Sequence, residues 1–124
     1  MTGGEANLRF SNPPELATPP GYTHVVEATG GRTIYVAGQV ARNRSGDVVG
    51  PGDLAAQTRQ VFENLKAALE SVGAGFGDLV KLNYYLTDIS QIGVVREVRD
   101  EYLDAQRPPA STVVEVPRLV QEEF

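Results

Sequence analysis

Ser111, Arg96, Arg107, Tyr22 and His24 are the side chains whose types could bind or act on a ligand, and what their neighbours lack narrows the chemistry. Cysteine is absent, which removes disulfides, thiol nucleophiles and thiolate metal sites. His24 is the only histidine. The acids are scattered rather than clustered around it, so no metal centre is indicated, and no serine or acid stands at a spacing that suggests a hydrolytic triad. A strand histidine of this kind reads as structural. Gly50-Pro51-Gly52-Asp53 is a glycine-rich approach to a helix, but it lacks the lysine and spacing of a phosphate-binding loop and reads as a loop and cap. What remains is hydroxyl and guanidinium chemistry. Ser111 either fills space at a strand start or hydrogen-bonds a ligand. Arg96 is either solvated on a helix face or a source of positive charge for a cleft, and Arg107, just before two prolines, reads as a surface residue. Tyr22 divides between hairpin packing and a cleft hydroxyl; Gly38 allows close backbone approach, for packing or for a ligand.

The elements that must hold these residues follow from periodicity. Residues 1–21 carry four of the eight prolines and read as extended or irregular, with room for a short strand at Leu8-Arg9-Phe10. Residues 22–29 read as a strand, Gly30-Gly31 as a positive-φ hairpin turn, and the β-branched and aromatic residues 33–37 as the partner strand. Gly38 closes that run, and a polar loop follows to Gly52. Asp53 suits the N-cap of a helix in which Leu54, Val61, Leu65, Ala68, Leu69 and Val72 recur at helical spacing, with Gly73 as its stop. Residues 79–86 alternate with period two. Val80, Leu82, Tyr84 and Leu86 take one face; Leu79, Lys81, Asn83 and Tyr85 take the other. Thr87 or Asp88 caps a second helix with an inward stripe of Ile92, Val95, Val98 and Tyr102 or Leu103, which Pro108-Pro109 forbid from continuing. Residues 111–116 form a further strand. The order β-β-α-β-α-β predicts an α+β domain with both helices on one sheet face. The other face, bearing Leu79, Tyr85 and Val113, is too apolar for a monomer's solvent side and is expected to be an oligomer interface.

Composition sets outer bounds. The 124 residues suit one domain, and 41% hydrophobic with 7% aromatic residues suits a globule. No run reaches the roughly 18 consecutive apolar residues of a membrane span, and the N-terminus lacks the basic and apolar regions of a secretory signal. These features fit a cytoplasmic protein with no membrane partner. The formal charge of −5 argues against binding a nucleic-acid backbone, which needs a basic footprint.

Several segments, taken in order, resemble one family. Pro109-Ala110-Ser111-Thr112-Val113-Val114-Glu115-Val116 is similar to the Pro-Ala-Arg-(Ser/Thr)-x-Val-x-Val signature of the RidA/YjgF enamine/imine deaminases. Gly21-Tyr22-Thr23-His24 resembles that family's tyrosine-bearing cleft segment, and Val36-Ala37-Gly38-Gln39-Val40 its strand ending in Ser/Ala-Gly-Gln. Gln57, Thr58, Phe62, Asn64 and Leu65 are similar to its helix pattern, and Val80-Lys81 to Thr87-Asp88 to its following strand. The match covers residues 20–119.

The resemblance implies a chorismate-mutase-like fold: a mixed β-sheet with two helices packed on one face, in a single domain over residues 1–124 whose final strand falls beyond Phe124. It also implies a homotrimer with a cleft at each subunit junction, lined here by Tyr22, Ala37, Gly38, Arg96, Ser111 and Val113. The expected ligand is a small anionic or carbonyl-bearing metabolite, with no cofactor and no metal. In deaminating members the signature arginine grips a 2-imino acid's carboxylate and a glutamate on the last strand activates water. Here Ser111 replaces the arginine, Val113 stands where many members carry cysteine, and Arg96 stands where an asparagine often faces the cleft. Serine cannot supply a charged fork; Arg96 could restore the charge from the neighbouring helix. The catalytic residues are unassigned. The readings that follow are an imine/enamine hydrolase of altered specificity, a non-enzymatic ligand-binding or regulatory trimer, a 2-aminomuconate-type deaminase, or an endoribonuclease, the last opposed by the acidic charge.

Overall fold

A computed structural model describes residues 7–124. Strands β1 (Asn7–Ser11) and β2 (Val25–Thr29) pair antiparallel, with Asn7 opposite Thr29 and Ser11 opposite Val25. A long loop leads to α1 (Leu54–Glu70), β3 (Lys81–Leu86), α2 (Ile92–Arg99) and β4 (Ala110–Glu115). β3 and β4 run parallel, and α2 is the crossover that parallel neighbours require. The class is α+β, as the sequence predicts, with one antiparallel and one parallel strand pair. The strands fall into two two-stranded sheets.

The helices begin and end where their residues dictate. The Asp53 carboxylate accepts from the Ala56 N–H at 3.1 Å, satisfying one of the free donors of the first turn of α1. Beyond α1, Gly73 takes φ +75° while Ala74 N–H donates back to Leu69 O at 2.9 Å. Asp88 caps the 3-10 turn Ile89–Gln91 that feeds α2. Hydrogen bonds from the Ser90 hydroxyl, then from Gln91 and the Ser90 backbone, hold its carboxyl below the usual carboxylate range. The core lies between the helices and on the helix side of β3 and β4, where Phe62, Leu69, Val95 and Val98 are buried. The Phe62 ring stacks on Tyr102 with centroids 5.0 Å apart, and Phe76 meets Tyr102 edge-on.

Three sequence expectations are corrected. The strand predicted for residues 22–29 starts only at Val25, because Thr23 is held elsewhere: its hydroxyl donates to Pro108 O and its N–H to Pro109 O. Residues 33–37 form no strand. Gly30 and Gly31 do take φ of +71° and +74°, but β2 pairs with β1 instead, and Tyr35 is 91% exposed. Strand propensity is local, whereas a ladder needs an opposing edge with free N–H and C=O groups. Finally, Val113 is not on the outer sheet face. Tyr84 pairs with Val113 and Leu82 with Ser111, so both β4 residues share the helix side. Val114, opposite Tyr85, takes the outer position.

Candidate functional site

The segment before β2 is fastened to the start of β4. Besides the Thr23 bonds to Pro108 and Pro109, His24 N–H donates to Asn12 Oδ1 at 2.8 Å, and its Nε2 lies 2.7 Å from Ala17 O. The His24 ring meets Tyr22 edge-on at 5.2 Å. The histidine thus fixes a loop, and this loop brings Pro20 and Tyr22 over the junction of α2 with the β3–β4 pair. There they enclose a cavity of about 100 Å³ with Tyr84, Ser111 and Val113 of the strands and Ile92, Val95, Arg96 and Arg99 of α2.

Four of the residues singled out from the sequence, Tyr22, Arg96, Ser111 and Val113, therefore meet in one cavity. Ala37 and Gly38 do not join them. They line a separate, larger cleft of about 1180 Å³ between the two sheets, which Tyr84 and Val95 also border. A side chain at Gly38 would meet nothing within 4 Å, so close packing does not explain that glycine. Arg107 lies over the Phe10 ring at 4.6 Å, a surface cation–π contact. Residues after β4 turn back onto α1, where Gln57 Nε2 donates to Glu123 O at 2.7 Å and Arg42 covers the Phe124 ring.

Two polar residues of the small cavity are not among the sequence candidates. Arg99 is the more consequential. Its side chain is only 15% exposed, and Nη2 stands 2.8 Å from where a Cβ at Gly21 would sit. Gly21, at φ +92°, is favoured for its backbone conformation, and the Arg99 guanidinium packs against it. Arg99 Nε and Nη2 both donate to a single oxygen of Asp100, Oδ1, at 3.0 and 2.9 Å. Arg96, one turn earlier, is exposed at the cavity rim. Tyr84 is the second missed residue. Burial pushes its phenol up to about 12, against the opposing pull of the Arg99 charge, so it stays a neutral hydrogen-bond donor at ordinary pH. A signal for Arg99 was present: it lies four residues after Val95 and seven after Ile92, on the inward stripe itself.

The arrangement offers fixed positive charge, two phenols and a small hydroxyl around a space for a few heavy atoms. Among the described residues, no group of three or more His, Asp or Glu side chains is placed to hold a metal ion. No helix among them is long and apolar enough to cross a membrane.

A small α+β domain with a crossover helix over a parallel strand pair, and a cationic cavity between them, is the class of protein that these features define. A family model described as Endoribonuclease L-PSP matches residues 14–123, and the chain belongs to this family, the RidA/YjgF proteins. A RutC family protein of Pyrococcus abyssi is 41% identical over 93 residues, covering 74% of this chain and 72% of that protein. A 2-iminobutanoate/2-iminopropanoate deaminase of Dermatophagoides farinae is 29% identical over 105 residues, covering 83% of this chain and 80% of that protein. Among solved structures, the Rid-family protein YyfB of Yersinia pestis, of unknown function, superposes with a TM-score of 0.81 at 36% identity, covering 94% of this chain and 91% of that one. The fold is accordingly the chorismate-mutase-like α+β fold of the family.

Proposed function

We propose that this protein is a homotrimer that binds a small carboxylate- or carbonyl-bearing metabolite at the cavity of Tyr22, Ser111 and α2, and that its reaction class is hydrolysis of an imine or enamine with altered specificity. The observation that carries this reading is the convergence of Tyr22, Arg96 and Ser111, from three separate parts of the chain, on one small cationic cavity. A relative named as a 2-iminobutanoate/2-iminopropanoate deaminase supports the reaction class.

In such a hydrolysis water adds to the C=N carbon and the carbinolamine expels ammonia, leaving a 2-oxo acid. The protein's contribution is to fix the carboxylate while the imine nitrogen is protonated or hydrogen-bonded. Neutral Tyr84 is suited to donate to that nitrogen or to a developing oxygen, and Arg96 and Arg99 to hold the anionic end. Among the described residues no carboxylate lines the small cavity, and no general base is assigned. Ser111 favours a second reading, a binding or regulatory protein without turnover, because a serine cannot replace the arginine's charged fork.

A coupled assay distinguishes the two. An amino-acid oxidase generates 2-iminobutanoate or 2-iminopropanoate, and loss of the imine is followed with and without the protein. The expected result is a small acceleration, far below that of arginine-bearing relatives. No acceleration over buffer removes the hydrolase reading and leaves ligand binding.

A further inference from the structure

Arg99 is the most enclosed cation of the cavity, and its present partner satisfies it incompletely. A guanidinium edge binds a carboxylate best by two parallel bonds to two oxygens. Asp100, its immediate neighbour in the chain, instead gives both donors one oxygen, and the Asp100 side chain is 63% exposed. We infer that Arg99 is the anion anchor of this cavity and that Asp100 is an internal competitor, which a ligand carboxylate displaces from the guanidinium edge. This rests on the small-anion reading above and moves the charge from β4, where Ser111 stands, to the last turn of α2.

Three observations support it. The guanidinium is largely enclosed, with a side chain only 15% exposed that packs against Gly21. The cavity it faces also holds Ser111 and the two tyrosines, so an anion on Arg99 keeps the rest of its surface within reach of hydroxyl groups. The displaced partner, 63% exposed, is already largely hydrated and regains the rest of its hydration when it leaves the guanidinium. Arg96, exposed at the rim, attracts the anion without gripping it.

Calorimetric titration of the full chain with sodium pyruvate, a small 2-oxo acid, tests this, with methyl pyruvate as the uncharged control. Asp100→Asn should bind pyruvate about three- to fivefold tighter than wild type, the size expected for removing an exposed competitor. Arg99→Gln should bind it at least about tenfold more weakly, as expected for a lost charge-assisted bond. Methyl pyruvate should respond to neither change. Arg99→Lys, which keeps stem and charge but lacks the fork, replaces Arg99→Gln if thermal melting shows that the latter does not fold, and should also bind more weakly. Pyruvate binding indifferent to residues 99 and 100 overturns the inference while leaving the small-anion reading intact. No binding to wild type or to Asp100→Asn overturns both. Arginine-dependent binding without imine turnover supports the anchor and removes only the hydrolase reading.

Discussion

At the scale of single residues, the cavity is governed by a charge and a phenol that sit side by side. Tyr84 is half-buried, and burial opposes its ionisation more than Arg99 favours it. The folded protein therefore holds the phenolic proton to about pH 12, whereas the unfolded chain releases it near the ordinary value of about 10. Between those limits the folded state binds more protons, so stability falls as pH rises. The contribution is fully present below about pH 10 and is lost on approaching 12, an effect on the order of 2 kcal/mol. Denaturant unfolding at stepped pH should show this extra loss in wild type and not in Tyr84→Phe. Equal slopes in the two proteins would show that Tyr84 is solvated. A related expectation concerns Gly21: Gly21→Ala forces a positive φ on a residue with a β-carbon and requires the Arg99 guanidinium to shift, so thermal melting should show a lower Tm, chiefly from the backbone strain. Of these groups, Tyr22, Ser111 and Arg96 were legible in the sequence through their motif and helix positions. Arg99 was passed over because a charge within an apolar stripe looks like an interruption of the stripe, and only the loop fastened by Thr23 reveals what it faces.

At the scale of elements, the clearest sequence signals were those that a residue satisfies within its own turn. The Asp53 cap and the Gly73 exit depend on neighbours a few positions away, and the structure forms them as read. The stripe of α1 is met in part: Leu69 is buried, but Val72 lies beyond the helix and is exposed, and Thr58 and Phe62 are buried instead. Asp53→Ala should cost about 1 kcal/mol in denaturant unfolding, since it frees a first-turn donor and leaves the buried face untouched. A loss below about 0.3 kcal/mol would mean water replaces the cap at no cost. Strand pairing was less legible because partner and register are set by distant residues. The alternation in residues 79–86 gave the two faces of β3 correctly, but assigning Val113 or Val114 to one of them required the register with β4. Residues 33–37 have strand composition, yet nothing local determines which edge they meet.

At the scale of the whole molecule, the outer face of the β3–β4 pair carries Tyr85, 56% exposed, beside Val114, 39% exposed. Lys81 spans this face to donate to Thr112 Oγ1 at 2.7 Å, so the surface mixes an apolar centre with a polar end. Covering paired large apolar side chains on an open strand face is favourable by roughly 25 cal/mol per Å² buried, which contributes toward association. The homotrimer proposed above covers them by closing three copies about one axis. Light scattering at micromolar concentration should then give about three times 13.3 kDa. Tyr85→Glu places a charge at the centre of that face, and Val114→Glu places one on the adjacent strand. Each should shift the mass toward the monomer, because a buried unpaired carboxylate costs more than the side chain it replaces contributes. Circular dichroism should show the helices retained, since both residues lie on the strand face opposite the one that Tyr84 and Val113 turn toward the helices. A wild type that scatters as a monomer would remove the trimer. A trimer unaffected by both charges would place its interface on another face of the molecule.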